Sequence, residues 1–211
     1  MATLYGVAGR TQAERSAATQ QLLVDAAIGL LVDRGWAATT AVAVCERAGC
    51  SRGALLHHFP NLSALLAHAL ESLHEDFASR ARMPATTVRG IVDDVWRAAG
   101  DPRFKAVLEA WSAAANDPEL ATELAPAIGR FAALVSPTGR APGSPVADAD
   151  ARAFVLTARE ALLGLALGRA YGGGRPLGHE RVVLDRLRAE ADRIDARLDA
   201  RVPADDEEDP T

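Results

Sequence analysis

The chain has 211 residues and a net charge of −5, and 49% of its residues are hydrophobic, 5% aromatic and 24% charged. That length supports a full hydrophobic core, in one large domain or two small ones, and the excess of Ala and Leu over aromatic and β-branched residues points to an all-α protein and excludes an extended sheet. The acidic total excludes a protein coated in basic surface, two cysteines exclude a disulfide framework, and no apolar run approaches the roughly 20 residues of a membrane span.

The charge is unevenly spread. Residues 1–60 hold five Arg against four acidic residues, whereas residues 61–211 hold 18 Lys plus Arg against 24 acidic residues. Any contact with nucleic acid therefore belongs to the N-terminal part. The N-terminus lacks an apolar signal region, so the expected location is the cytoplasm.

Residues 1–12 read as an arm that holds Arg10, with Arg15 just beyond. Such an arm suits phosphates or a minor groove, and it suits a solvated tail equally. From Ala13 to Arg34 a helix is predicted with Leu23, Ala27, Leu30 and Leu31 on its inner stripe. Gly35 stops it, and Trp36 should plug a small three-helix core. Thr39 and Thr40 can cap a second helix, whose apolar stripe is Ala41, Val44, Cys45 and Ala48. Exposed N–H groups at that N-terminus would favour a phosphate.

Gly49 ends this helix, and Ser51 can cap a third by accepting from the N–H near Ala54. Two short helices joined by a three-residue turn match the helix-turn-helix plan, which is also the build of a plain structural hairpin. In the third helix Leu55 and Phe59 should face inward, leaving Arg52, Gly53, Leu56 and His57 looking outward toward a major groove. Cys45 and Cys50 fall on interior positions. With no His or Cys quartet at zinc spacing, no metal is expected.

Pro60 breaks the third helix, and Asn61 or Ser63 can cap the next, which runs to about Ser79. Its Leu62, Leu66, Ala69, Leu73 and Phe77 share one face, with Leu65 and Leu70 beside it, so it should pack on both halves of the protein. Residues 84–135 read as three more helices. Val88, Ile91, Val92, Val95, Trp96 and Ala99 mark the first; Phe104, Val107, Leu108 and Trp111 mark the second; and Leu120, Leu124, Ile128, Phe131 and Leu134 mark the third, which Asp117-Pro118 starts and Pro126 should kink. Residues 136–145 are a loop by composition. Asp148 or Asp150 can cap a helix running to Tyr171, in which Gly164 and Gly168 would let another helix approach. The last helix, about His179 to Arg201, carries Leu184, Leu187, Ala191, Ile194 and Leu198 as a heptad-like seam that must pack on its own subunit or on a partner. Residues 203–211 form an acidic tail expected to be disordered.

The runs Thr39-Thr40, Glu46-Arg47-Ala48-Gly49, Ser51-Arg52-Gly53-Ala54-Leu55, His57-His58-Phe59-Pro60 and Ala64-Leu65-Leu66 resemble the TetR family of bacterial transcriptional regulators over roughly residues 10–70. The resemblance implies an N-terminal helix-turn-helix domain over residues 1–60 and a helical regulatory and dimerisation domain over residues 61–202. It implies a regulator, usually a repressor, that holds a double-stranded, pseudo-palindromic operator as a homodimer. Arg10, Arg15, Thr39, Thr40, Ser51, Arg52, Gly53, Leu56, His57 and His58 would then face DNA. Leu56 and Leu62 depart from the pattern, which usually has Tyr and Lys there, both phosphate-gripping residues.

The resemblance also implies a small-molecule pocket among the middle helices, for which Trp96, Trp111 and Phe131 are candidate walls and Arg97, Glu109 and Asn116 candidate polar anchors; plain core is the competing reading of the aromatics. A four-helix bundle of the last two helices from each subunit would place Leu163, Leu167, Leu184, Leu187, Ala191, Ile194 and Leu198 between copies. No nucleophile with an ordered base, paired carboxylates or metal set suggests an enzyme, and no cofactor is implied. A helical DNA-binding or interaction protein without a small-molecule effector is the alternative.

Overall fold

The computed structural model describes residues 11–80, 85–134 and 144–201. The described residues contain nine α-helices and one short 3-10 turn: α1 (Gln12–Arg34), α2 (Ala41–Ala48), α3 (Arg52–His58), α4 (Leu62–Arg80), α5 (Val88–Ala99), α6 (Phe104–Ala114), α7 (Pro118–Leu134), the turn Pro145–Ala147, α8 (Ala149–Tyr171) and α9 (Glu180–Asp199). Arg10, residues 136–143 of the loop expected over 136–145 and the tail 203–211 lie outside the described residues.

Local chemistry sets the helix ends. Thr11 and Glu14 form a reciprocal capping box at the start of α1. Thr40, Ser51, Asn61, Thr87 and Asp148 each accept a hydrogen bond from the backbone N–H three residues on, completing the starts of α2, α3, α4, α5 and α8. Gly49 closes α2 in the left-handed conformation, with φ 64°, which a residue without Cβ adopts freely. The chain leaves α1 at Gly35 with φ 78°. The seventh helix continues through Pro126 to Leu134.

Apolar burial divides into two clusters, and the division does not fall at residue 60. The first joins α1–α4 to α6 and α7, with Leu23, Leu31, Leu66, Phe77, Phe104 and Phe131 all buried. The second joins α5, α8 and α9, around Val88, Val92, Val155, Leu162, Leu184 and Ala191. Trp36 is half-buried against the first cluster. The fourth helix packs against both α1 and α7, which makes it the link between the N-terminal helices and the middle of the chain.

The seam of α9 is internal. Leu184, Ala191 and Ile194 are buried, and Leu187 and Leu198 are half-buried, within the second cluster of their own subunit. This corrects their expected place between copies: a stripe must be covered, and α5 and α8 supply the cover. Leu163 likewise packs on the first cluster, whereas Leu167 is 41% exposed. Gly168 does permit a close approach, since a Cβ there would lie 2.7 Å from Leu177 Cδ1 in the segment before α9. Gly164 has nothing within 4 Å of that position and lies open on the outer side of α8.

Candidate nucleic-acid interface

The third helix has seven residues, too few to be stable alone, and its tertiary anchors set which face looks out. Leu55 and the capping Phe59 are buried in the first cluster, while Arg52, Gly53, Leu56 and His57 are exposed, Leu56 at 52%. The Phe59 ring lies 5.6 Å from the ring of His68 on α4, and His68 in turn meets Gln20 of α1 at 3.3 Å. The end of α3 is thus held against both longer helices, and a shift of α4 would carry α3 with it.

Polar and basic side chains share the outward surface with Leu56. Ser51 and Arg52 are exposed at its start, and Arg15 is exposed near the start of α1. The rings of His57 and His58 meet edge-on at 5.1 Å, with His57 exposed and His58 half-buried. Arg47 is engaged by Asp33 at 2.7 Å. Burial, and secondarily Cys50, push the Cys45 thiol up, against the opposing pull of Arg52, which leaves Cys45 a neutral packing residue under the turn.

Two placements correct the expected site. Thr39 is 4% exposed and its hydroxyl donates to the Gly35 carbonyl at 2.9 Å, so its side chain belongs to the α1–α2 corner and only Thr40 stands at the exposed start of α2. Leu62, by contrast, keeps its expected place on the inner face of α4, half-buried against the first cluster, where a lysine would have to reach past it. The proposed pocket residues divide between the two clusters. Phe131 packs edge-on with Phe77 and Phe104 in the first cluster, Trp111 meets Phe104 there at 6.2 Å, and Trp96 belongs to the second cluster with the Arg169 guanidinium 5.0 Å above its ring. Arg97 pairs with Asp94, and Asn116 donates to the Ser112 carbonyl at 2.9 Å on an exposed surface.

Glu109 does something sequence reasoning did not find. Its carboxylate accepts from the Trp36 N–H at 2.9 Å, joining α6 to the end of α1. A cavity of about 300 Å³ lies beside this contact, between the end of α1, the α5–α6 turn and the last turns of α8. Lys105 lines it and donates to the Val32 carbonyl at 2.6 Å. One signal for Lys105 was present in the sequence: it is the only lysine among 23 basic residues. Among the described residues no group of three or more His, Cys, Asp or Glu could hold a metal ion, and no helix is long and apolar enough to cross a membrane.

Residues 23–69 match the family model for bacterial regulatory proteins of the tetR family. The chain is 36% identical over 118 residues to the HTH-type transcriptional regulator CymR of Pseudomonas putida, a match covering 53% of this chain and 58% of that one. It is 37% identical over 73 residues to the HTH-type transcriptional regulator TtgR of the same species, covering 35% of each chain. The matched sequence thus spans little more than half of CymR and about a third of TtgR. Among solved structures, a transcriptional regulator from Rhodococcus sp. Rha1 superposes with a TM-score of 0.62 at 21% identity, over 82% of this chain and 96% of that one. A TetR family transcription regulator from Marinobacter aquaeolei VT8 gives 0.56 at 14% identity, over 84% and 97%. At such identities the two structures establish a shared fold.

Proposed function

From the premise that the chain belongs to the TetR family of transcriptional regulators, we propose that it binds a pseudo-palindromic operator as a homodimeric repressor and leaves it when a small, largely apolar ligand binds. The observation that carries this reading is the outward face of α3, where Arg52, Gly53, Leu56 and His57 are exposed on a helix fixed from behind by Leu55 and Phe59. Arg52 supplies the fork that pairs with a guanine edge, Thr40 and Ser51 stand at helix starts suited to phosphates, and Leu56 offers an apolar contact of the kind a thymine methyl accepts. With Leu56 and Leu62 in place of phosphate-gripping residues, Arg15, His57, His58 and the Arg10 arm carry more of the backbone contact.

The partner copy covers the outer side of α8. Leu156, Gly164, Leu167 and Tyr171 lie exposed along that side, and the open Cα of Gly164 allows a second helix to come close. Val182 extends the exposed apolar surface onto α9. Dimerisation positions two α3 helices for successive major grooves about one DNA turn apart.

The test is selection of random duplexes by the purified full-length protein at fixed salt. A two-fold symmetric motif is expected, and Leu167→Glu is expected to sediment as a monomer with greatly reduced affinity for that motif. Retention of duplexes without any common motif, or a Leu167→Glu protein that remains dimeric and binds normally, overturns the corresponding half of the reading.

A further inference from the structure

The end of α1 is completed by side chains of α6. In a continuing helix the Trp36 N–H would donate to the Val32 carbonyl. The departure at Gly35 breaks that bond and leaves one donor and one acceptor at the helix C-terminus. Glu109 takes the donor, at 2.9 Å, and Lys105 takes the acceptor, at 2.6 Å. Because Lys105 and Glu109 are one turn apart on α6, a single face of that helix satisfies both groups, and the ammonium sits where the α1 dipole favours a cation.

This clip borders the 300 Å³ cleft, whose walls include Val32, Ala99, Phe104, Leu108 and Ala166. Four charged residues also line it. Asp33 pairs with Arg47 at 2.7 Å, Asp101 with Arg103 at 2.8 Å and Arg169 with Glu180 at 2.7 Å. Lys105 differs from the other three, since its partner is a neutral carbonyl. The two carboxylates of the lining are already balanced by arginines, so the ammonium is the charge left to a ligand. With the other lining charges already paired, a single ammonium balances one negative charge; a phosphate dianion would leave a second charge unpaired there. A carboxylate also makes a stronger, charge-assisted hydrogen bond to the ammonium than a peptide carbonyl does.

We propose that this cleft binds a small apolar carboxylate that draws the Lys105 ammonium off the Val32 carbonyl and loosens the hold of α6 on the end of α1. The ligand site stands on the cleft and the clip, whereas its effect on DNA rests on the operator-binding reading above. Release of α1 shifts the base on which α2 and α3 pack, and by linkage the carboxylate and the operator weaken each other to the same degree.

The sole lysine makes the test direct, because isotope-labelled lysine yields one side-chain ammonium signal from the folded full-length protein. Butyrate, hexanoate and octanoate are titrated, each against its uncharged amide. A saturable shift of the Lys105 signal is expected with at least one carboxylate and not with its amide. Calorimetry should show Lys105→Met losing more than about tenfold in affinity for that carboxylate, with Lys105→Arg retaining most of it. Should Lys105→Met fail to fold, the wild-type titration decides alone. A Lys105 signal unmoved by all three carboxylates, or moved equally by the amides, overturns the site. The active carboxylate should weaken wild-type binding to the selected operator by about tenfold; unchanged binding overturns the coupling to α1. If no operator motif emerges from selection, the operator reading fails while the Lys105 titration still supports or overturns the site.

Discussion

The two apolar clusters hold their helices by different means. In the first, Phe77, Phe104 and Phe131 meet at centroid distances of 5.9 to 6.4 Å where α4, α6 and α7 cross, and shape sets the packing. In the second, small and branched aliphatic side chains fill the interior and charged contacts tie α9 to α5 and α8. Asp195 of α9 accepts from the backbone N–H groups of Val88 and Arg89, at 2.7 and 2.9 Å, at the start of α5. Asp93 of α5 accepts from Arg89 at 3.0 Å and from Arg188 of α9 at 2.9 Å, and Asp148 caps α8 while meeting Arg197 and Arg201 of α9. A lock of large rings resists sliding, whereas helices tied by charged side chains can be re-aimed by changing a few charges. The helices that carry the proposed DNA-facing surface belong to the shape-locked cluster, and α6 is the part of that cluster bordering the cleft.

The sharpest way to break this contrast is to empty the aromatic crossing. Phe131→Ala should cost about 3–5 kcal/mol of stability, read as a lower urea midpoint with an unchanged slope. A loss below about 1 kcal/mol would mean that the rings are not what holds the first cluster. In the second cluster, Asp195→Ala removes a carboxylate that accepts from two N–H groups and should cost about 1.5–3 kcal/mol. Amide hydrogen exchange should then accelerate at the start of α5 and leave α3 and α4 unchanged; equal acceleration in both places would show that the clusters unfold as one unit.

Arg52→Ala touches neither core. It should leave the urea midpoint in place while weakening operator binding by about 1–3 kcal/mol and relaxing preference at one base position. An equal loss on every duplex would make Arg52 a phosphate contact.

The smallest expected effect is a pH dependence carried by a histidine of the first cluster. Burial, with the nearby Arg130 charge, lowers the pKa of His74, whose ring packs edge-on against Phe131 at 5.6 Å. A histidine with a lowered folded pKa binds fewer protons when folded, so its contribution is fully present above the unfolded value near 6.5 and is lost as pH falls toward the folded pKa. Stability should therefore decline modestly on acidification below about pH 6.5, and His74→Gln should flatten that slope. An unaltered slope would assign the decline to other groups. Asp101 acts in a lower window. Burial alone would raise its pKa, but hydrogen bonds and charge from Arg103 outweigh it, so the stabilisation is full above the ordinary carboxylate range and fades as pH falls through the lowered value.

Much of this molecule is local and was legible in the chain itself. Gly35, Gly49, Ser51 and Asp148 mark helix ends because capping and left-handed turns depend on one residue and its near neighbours. The outer face of α3 follows from Leu55 and Phe59 being one turn apart. The 3.6-residue repeat also shows that α9 has a stripe to bury.

What covers a stripe is a different question, because periodicity records that a face is hidden and carries no label for its partner. Tertiary packing decided that Leu184, Ala191 and Ile194 turn inward on α5 and α8, leaving the side of α8 with Leu156, Gly164 and Leu167 open. It decided that Thr39 points into a corner, and that Trp96 lies in another cluster from Trp111 and Phe131. It also brought Lys105 and Glu109 to the broken end of a helix some 70 residues away in sequence. Those contacts join groups that share no local pattern, so they exist only once the chain has folded.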